Sequence, residues 1–87
     1  MAQMIVHHRV RDYEAWRPGF DQHETSRVAA GITNGRVFRS TDDPDDLVII
    51  LDVADVQKAR AWSQSDDLRS TMQKVGVLGS PAIYFVE

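Results

Sequence analysis

The fold of this chain is decided by the stretch Leu47-Val48-Ile49-Ile50-Leu51-Asp52-Val53. A strand with one solvated face alternates apolar and polar side chains, but this stretch is apolar at every position except Asp52. We therefore expect a strand that is buried on both faces. The helices predicted in the rest of the chain are enough to cover one face of a small sheet. A second copy of the protein is needed to cover the other.

Length and composition limit the class of protein. Residues 1–87 are expected to form a single domain with a thin core, because a chain this short buries only about 60–65% of its unfolded surface. The net charge is −3 and the chain has no cluster of basic residues, which argues against a nucleic-acid partner. The chain has no cysteine, which excludes disulfides and thiolate chemistry and fits a cytoplasmic location. We see no signal peptide and no apolar run long enough to span a membrane.

The first half of the chain predicts a strand, a helical region and a second strand. Residues 4–10 favour a strand, and Asp12 is a good N-cap for a helix that begins near Tyr13. Pro18 cannot donate a helical hydrogen bond, so we expect a break or a kink there, with a short first turn followed by a longer helix from Pro18 to Ala30. Residues 32–40 favour the second strand.

The second half completes an alternating order of elements. A polar turn at 41–46 leads into the strand at 47–53, and helices are predicted over 54–65 and 67–75. Ser65-Asp66-Asp67 is a capping sequence, and a final strand covers 82–86. The order predicts an α+β, ferredoxin-like βαββαβ fold with a four-stranded antiparallel sheet and helices on one face. The bare face would then pair with that of an identical protomer in a homodimer.

Two histidines are the strongest candidates for chemistry. Strand parity directs His8 toward the first helical region, and helical spacing directs Phe20 and His23 into the same space. Trp16 and Trp62 are expected to add apolar walls to this pocket. Two imidazoles in an aromatic cavity suit proton transfer, because histidine titrates near neutral pH. Alternatively, both histidines are core residues that each make one hydrogen bond.

Three further residues are weaker candidates for substrate binding. Arg27 either packs its stem while its head reaches a carboxylate, or supplies a cation to an anionic or enolate oxygen. Asn34 would orient a substrate oxygen if its strand face looks into the pocket, and a slip of one residue would turn it away. Tyr13 either donates a phenolic proton or packs as an amphipathic residue. No third ligand joins His8 and His23 convincingly, so we expect no metal.

Several segments resemble one superfamily over nearly the whole chain. They are Val10-Arg11-Asp12-Tyr13-Glu14-Ala15-Trp16, Phe20-Asp21-Gln22-His23, Ala29-Ala30-Gly31, Ala59-Arg60-Ala61-Trp62, Leu68-Arg69 and Val75-Gly76-Val77. With these segments the chain resembles the small dimeric α/β-barrel proteins, which include antibiotic-biosynthesis monooxygenases and polyketide cyclases. The resemblance implies two protomer sheets closed into a barrel, with a pocket between the sheet and the helices of each protomer. Some members oxidise aromatic substrates without metal or flavin, while others cyclise polyketide chains or handle haem.

The leading hypothesis is a homodimer that binds a small aromatic or polyketide-like molecule and acts as a cofactor-independent monooxygenase. His23 and His8 would transfer protons. The substrate would be bound by Trp16, Phe20, Trp62, Asn34, Arg27 and Tyr13. One alternative is a polyketide cyclase that uses the same pocket. The other is a non-catalytic, ligand-binding or structural dimer.

Overall fold

A computed structural model describes all residues of the chain, 1–87. The elements are β1 (Ala2–Val10), α1 (Tyr13–Gln22), α2 (Glu24–Ala29), β2 (Ile32–Arg39), β3 (Asp46–Val53), α3 (Val56–Ser63), α4 (Asp66–Lys74) and β4 (Val77–Val86). All strand pairs are antiparallel, and the sheet order is β2-β3-β1-β4. The predicted ferredoxin-like α+β fold is therefore confirmed. None of the helices has the length and apolar character needed to cross a membrane.

The central strands β1 and β3 carry most of the core. On β3, Leu47, Ile49, Leu51 and Val53 are buried against the helices, as are Met4, Val6, His8 and Val10 on β1. Trp16 and Ala59 from the helices complete this layer. Because strand residues alternate between faces, the remaining residues of both strands point away from the helices.

The sheet surface that faces away from the helices, which we call the open face, carries an apolar patch among polar side chains. The cross-strand register places Ile5 beside Ile50 and Tyr84, and Val48 beside Phe38. Val86 extends this surface on β4. Phe38, Tyr84 and Val86 are exposed, so β3 has apolar side chains on both faces but only one of them is buried within the protomer.

Side-chain caps fix where three of the helices begin. Asp12 accepts a hydrogen bond from the Glu14 amide at the start of α1, and Ser65 accepts one from the Leu68 amide at the start of α4. The predicted division into a short first turn and a longer helix from Pro18 to Ala30 is wrong: α1 continues through Pro18, and the helical region divides at His23 instead. Pro18 is tolerated because Glu14 and Pro18 are both exposed, so water can reach the carbonyl that the proline leaves unpaired.

The last strand begins earlier than predicted. β4 starts at Val77 rather than at residue 82, and it runs through Gly79 and Pro81. Its pairing with β1 shifts register between His7 and Arg9, and Gly79 has φ 65°. Because the proline lies on an edge strand beside a register shift, it removes no essential ladder hydrogen bond.

A cavity with two histidines

A cavity of about 70 Å³ lies between the helices and the sheet, and we call it the helix–sheet cavity. Of the 16 residues that line it, 11 are hydrophobic. Six of the predicted site residues are among them: His8, Trp16, Phe20, His23, Arg27 and Trp62. The structure therefore brings together both imidazoles and the three predicted aromatic walls.

His8 reaches the helix–sheet cavity from the middle of β1. Its side chain is buried, and neither Nδ1 nor Nε2 has a protein hydrogen-bond partner. Burial disfavours the imidazolium form, and nearby His7 adds to the effect, so the pKa of His8 falls from 6.5 to about 4 despite the opposing charge of Asp46. His8 is therefore neutral at physiological pH, with one N–H donor and one free acceptor nitrogen.

Trp16 is the centre of the aromatic wall. Its ring packs edge-to-face with His8 at 5.8 Å between centroids and stacks on Phe20 at 4.8 Å. Trp16 is buried on the first turns of α1, where the Asp12 cap fixes the start of the helix. This packing holds the His8 ring in a defined orientation, since edge-to-face contacts between rings are directional.

His23 occupies the junction between the two helices of the first crossover. It is both the C-cap of α1 and the residue before α2, and its ring lies 5.7 Å from that of Trp62. Nε2 of His23 is 2.9 Å from Oδ2 of Asp67 in the first turn of α4. Ser26 Oγ donates to the same oxygen at 2.9 Å and accepts from Nε1 of Trp62 at 2.9 Å.

Arg27 does not reach a carboxylate, contrary to one of the two sequence interpretations. Its buried guanidinium lies 3.9 Å from the centre of the Phe20 ring, and Nη1 donates to the Phe20 carbonyl at 2.8 Å. No acidic side chain forms an ion pair with it. Desolvation by this burial lowers the pKa of Arg27, although Glu24 and Asp21 oppose the effect.

Asn34 lies outside the helix–sheet cavity, which is the placement expected if the parity of its strand slips by one residue. It has φ 54° in a bulge where the pairing of β2 with β3 shifts register, and its amide donates to Asp52 Oδ2 at 3.1 Å. The bulge reverses the parity of β2, so that Arg36 also pairs with Asp52, at 3.0 Å, on the side of the open face.

Tyr13 also lies outside the cavity, at the start of α1, where it packs against the edge of the core. The Arg39 guanidinium lies over its ring, 3.9 Å from the ring centre, and its hydroxyl accepts a hydrogen bond from Arg17 at 3.3 Å. Its ring contacts that of Trp16 at 5.9 Å between centroids, so it packs against the aromatic wall without lining the cavity. This is the amphipathic packing role that the sequence offered as the alternative to proton donation.

Two residues of the site were not predicted from the sequence. Asp67 was interpreted only as part of a helix cap, and Ser26 was not singled out at all. Asp67 contacts His23 across 44 positions of the chain, which no local pattern encodes. Ser26 follows His23 by three residues, so helical spacing places the two side chains on the same side of α2.

The site combines one neutral imidazole, one carboxylate-bonded imidazole and a largely apolar surround. Such an arrangement can bind a flat hydroxylated molecule and move a proton to or from its hydroxyl group. No group of three histidine, cysteine or acidic side chains is arranged to hold a metal ion.

The comparisons with known proteins agree on the fold. No family model matches the chain, and no curated protein matches its sequence. A candidate antibiotic biosynthesis monooxygenase from Bordetella bronchiseptica is 18% identical with a TM-score of 0.80, over 99% of this chain and 94% of that one. A second from Nitrosomonas europaea is 20% identical with a TM-score of 0.70, over 100% and 97%.

The name of a third similar structure states a specific activity. A variant of SnoaB, a cofactor-independent oxygenase from Streptomyces nogalater, is 11% identical with a TM-score of 0.72, over 99% of this chain and 90% of that one. The chain therefore has the ferredoxin-like fold of the antibiotic biosynthesis monooxygenase-like proteins, and the resemblance seen in the sequence is confirmed. At these identities the likeness is one of fold.

Proposed function

We propose that the chain is a cofactor-independent oxygenase for a small hydroxyaromatic molecule bound in the helix–sheet cavity. The observation that carries the proposal is His8, whose two ring nitrogens are buried in an apolar cavity without a protein partner. A buried polar group left unsatisfied costs about 1–3 kcal/mol. A bound hydroxyl group would recover that cost, because it can accept from one nitrogen of an imidazole or donate to the other.

The two imidazoles have different roles in this proposal. His23 accepts the phenolic proton, because its Nε2 is engaged by Asp67 and Nδ1 has no partner. His8 remains neutral and donates a hydrogen bond to the phenolate oxygen, which stabilises the developing charge inside a medium of low polarity. General base catalysis of this kind contributes about 10²–10⁴ in rate.

The reaction needs only dioxygen besides the hydroxyaromatic substrate. The phenolate transfers electrons to dioxygen and forms a C–O bond at a ring carbon, and His23 returns its proton to the distal peroxide oxygen. His23 then removes the hydrogen of that carbon while the O–O bond breaks, which leaves a quinone carbonyl and hydroxide. The proton on His23 converts the hydroxide to water. One oxygen atom enters the ring, the other becomes water, and the substrate supplies all the electrons.

The volume of the cavity favours a substrate with a single ring over a polyketide-like one. An apolar cavity of about 150 Å³ accommodates benzene, whereas the helix–sheet cavity holds about 70 Å³. Even one ring therefore requires a lining side chain to move. Met72 and Trp62 are the best candidates, since both line the cavity and are only partly buried.

We also propose that the open face packs against that of a second copy. Exposed Phe38 lies beside partly buried Val48, and exposed Tyr84 lies beside partly buried Ile5, which in turn neighbours Ile50, so the open face presents an apolar patch. Monomeric proteins rarely leave such a surface uncovered. A two-fold dimer covers the same patch on both protomers with one contact.

Oxygen uptake with simple phenols tests the enzymatic proposal. We expect the protein to accelerate oxidation of resorcinol beyond its spontaneous rate, and heavy-isotope dioxygen to label the hydroxyquinone product with one atom. His23→Ala should abolish the acceleration, and His8→Phe should reduce it while leaving the protein folded. Product formed from a polyketide chain without dioxygen would instead support a cyclase. If neither phenols nor polyketides shifted the imidazole NMR signals of His8 and His23, the structural dimer would be the better interpretation.

A further inference from the structure

Four side chains from three helices form one chain of hydrogen bonds beside the helix–sheet cavity. Trp62 of α3 bonds to Ser26 of α2, Ser26 bonds to Asp67 of α4, and Asp67 bonds to His23 at the junction of α1 and α2. Each of the three distances is 2.9 Å. We call this set of hydrogen bonds the His23–Trp62 network.

The donor and the acceptor of each hydrogen bond in this network follow from the Trp62 indole, which can only donate, and the ionised Asp67 carboxylate, which can only accept. The indole nitrogen of Trp62 can only donate, so Ser26 Oγ accepts from it and turns its own hydrogen toward Asp67. Oδ2 of Asp67 then accepts from Ser26, and as an ionised carboxylate it can only accept from His23 as well. The proton of a neutral His23 therefore lies on Nε2, and Nδ1 carries the free lone pair.

We infer that Asp67 is the positioning residue for His23, which fixes the ring in the tautomer that leaves Nδ1 as the proton acceptor. This inference rests on the proposed function for its catalytic meaning, but the relationship between the two side chains can be measured without it. A carboxylate that holds the donor nitrogen of a histidine fixes both its tautomer and its orientation.

The surroundings of Asp67 keep its carboxylate ionised. Hydrogen bonds from His23 and Ser26 lower the pKa of Asp67. The residue also lies in the first turn of α4, where the helix dipole favours a negative charge. Its side chain is 63% exposed whereas that of His23 is 13% exposed, so the pair connects the helix–sheet cavity to solvent.

Long-range nitrogen NMR spectra of the histidine rings test the inference directly. In the wild-type protein and in Asp66→Ala we expect His23 to carry its proton on Nε2, and in Asp67→Ala to populate both tautomers. Asp66 is the matched control, because it belongs to the same helical turn, is 99% exposed and does not contact His23. Asp67→Asn keeps an acceptor oxygen and should retain the Nε2–H tautomer. His23 with its proton on Nδ1 in the wild type, or an unchanged tautomer in Asp67→Ala, would overturn the inference.

Kinetics with resorcinol separate this inference from the proposed function. We expect Asp67→Ala to lower kcat by about 10² with KM within about twofold, and Asp67→Asn to recover part of the rate. If KM rose at constant kcat, Asp67 would act on binding rather than on proton transfer, and the inference would fail. If the tautomer responded as expected but the wild type consumed no oxygen, the positioning by Asp67 would stand and the oxygenase proposal would fall.

Discussion

The rings of His8 and Trp16 are nearly perpendicular, at 5.8 Å between centroids and 83° between planes, while both nitrogens of His8 lack a protein hydrogen-bond partner. A ring that serves only to fill a core would be better replaced by an apolar one of similar size, because no hydrogen bond would be lost. The contact with Trp16 therefore holds the polar His8 ring at a buried position, where the ring lowers the free energy of unfolding. Functional sites are where such local costs are usually found.

The buried His8 ring makes the stability of the protein depend on pH. Its pKa is lowered from 6.5 to about 4 in the folded state, so between these values the unfolded chain binds a proton that the native protein does not. The titration of His8 does not reduce the free energy of unfolding above pH 6.5, but it reduces that free energy progressively as the pH falls to about 4. The full reduction, which follows from the size of the pKa shift, is about 3 kcal/mol. His8→Leu should remove this loss and raise the free energy of unfolding at neutral pH by about 1 kcal/mol.

Urea unfolding of both proteins, at one protein concentration and at several pH values between 7 and 4, measures this difference. The difference between variant and wild type cancels the titration of all other groups. Parallel pH profiles for wild type and His8→Leu would contradict the assignment of a neutral, buried His8. A large loss of stability in His8→Leu at neutral pH would favour the purely structural interpretation of the histidine.

The close approach of α1 to the end of α4 gives a second prediction. A Cβ placed on Gly19 would overlap Cγ1 of Val75, so a side chain does not fit there without movement. Alanine is normally better than glycine inside a helix by about 1 kcal/mol. We expect Gly19→Ala nevertheless to lower the free energy of unfolding by about 1–3 kcal/mol, because overpacking outweighs the helix propensity.

A double-mutant cycle with Val75→Ala checks the cause of that loss. If the clash with Val75 is responsible, Gly19→Ala should cost little or become favourable in the Val75→Ala background. Equal losses in both backgrounds would show that the glycine is needed for its backbone rather than for the contact.

The sequence predicted the parts of the fold that depend on local patterns. The β3 stretch has apolar residues on both faces, and Asp12 and Ser65 cap their helices as expected. His8 and His23 could be assigned to one cavity from the sequence, because strand parity and helix spacing are reliable over short distances. These signals require no knowledge of how the elements pack.

The sequence did not predict features that depend on one residue's backbone or on distant partners. Asn34 adopts φ 54° and shifts the parity of β2, which a strand pattern cannot anticipate. Pro18 stays within α1 because its neighbourhood is solvated, and this depends on which side of the helix is buried. Asp67 reaches His23 only after α4 has packed beside the first crossover.

Self-association through the open face gives a third prediction. Phe38→Lys places a charge in the apolar patch, and we expect it to convert a dimer to a monomer at micromolar concentration, because an unpaired charge is costly to bury. Val28→Lys is the matched control, since Phe38 and Val28 are each 51% exposed but Val28 lies on α2. Sedimentation velocity of the wild type and both variants measures the change. A wild type that sediments as a monomer, or a Val28→Lys variant that dissociates equally, would refute this surface as the interface.

The size of the helix–sheet cavity gives the last prediction. Met72 of α4 lines the cavity and is partly buried, so Met72→Ala should enlarge it and lower the free energy of unfolding by about 2 kcal/mol. The variant should bind a dihydroxynaphthalene about tenfold more tightly than the wild type does and resorcinol no more than about threefold more tightly, because even one ring requires a lining side chain to move but the larger ring needs most of the added space. Titration calorimetry with both phenols gives the two affinities. Gln73→Ala controls for the change of helix propensity, because Gln73 is exposed and does not line the cavity. If Met72→Ala and Gln73→Ala bound both phenols alike, the ligand would have to lie elsewhere, since a molecule held between α4 and the sheet must respond to the loss of that side chain.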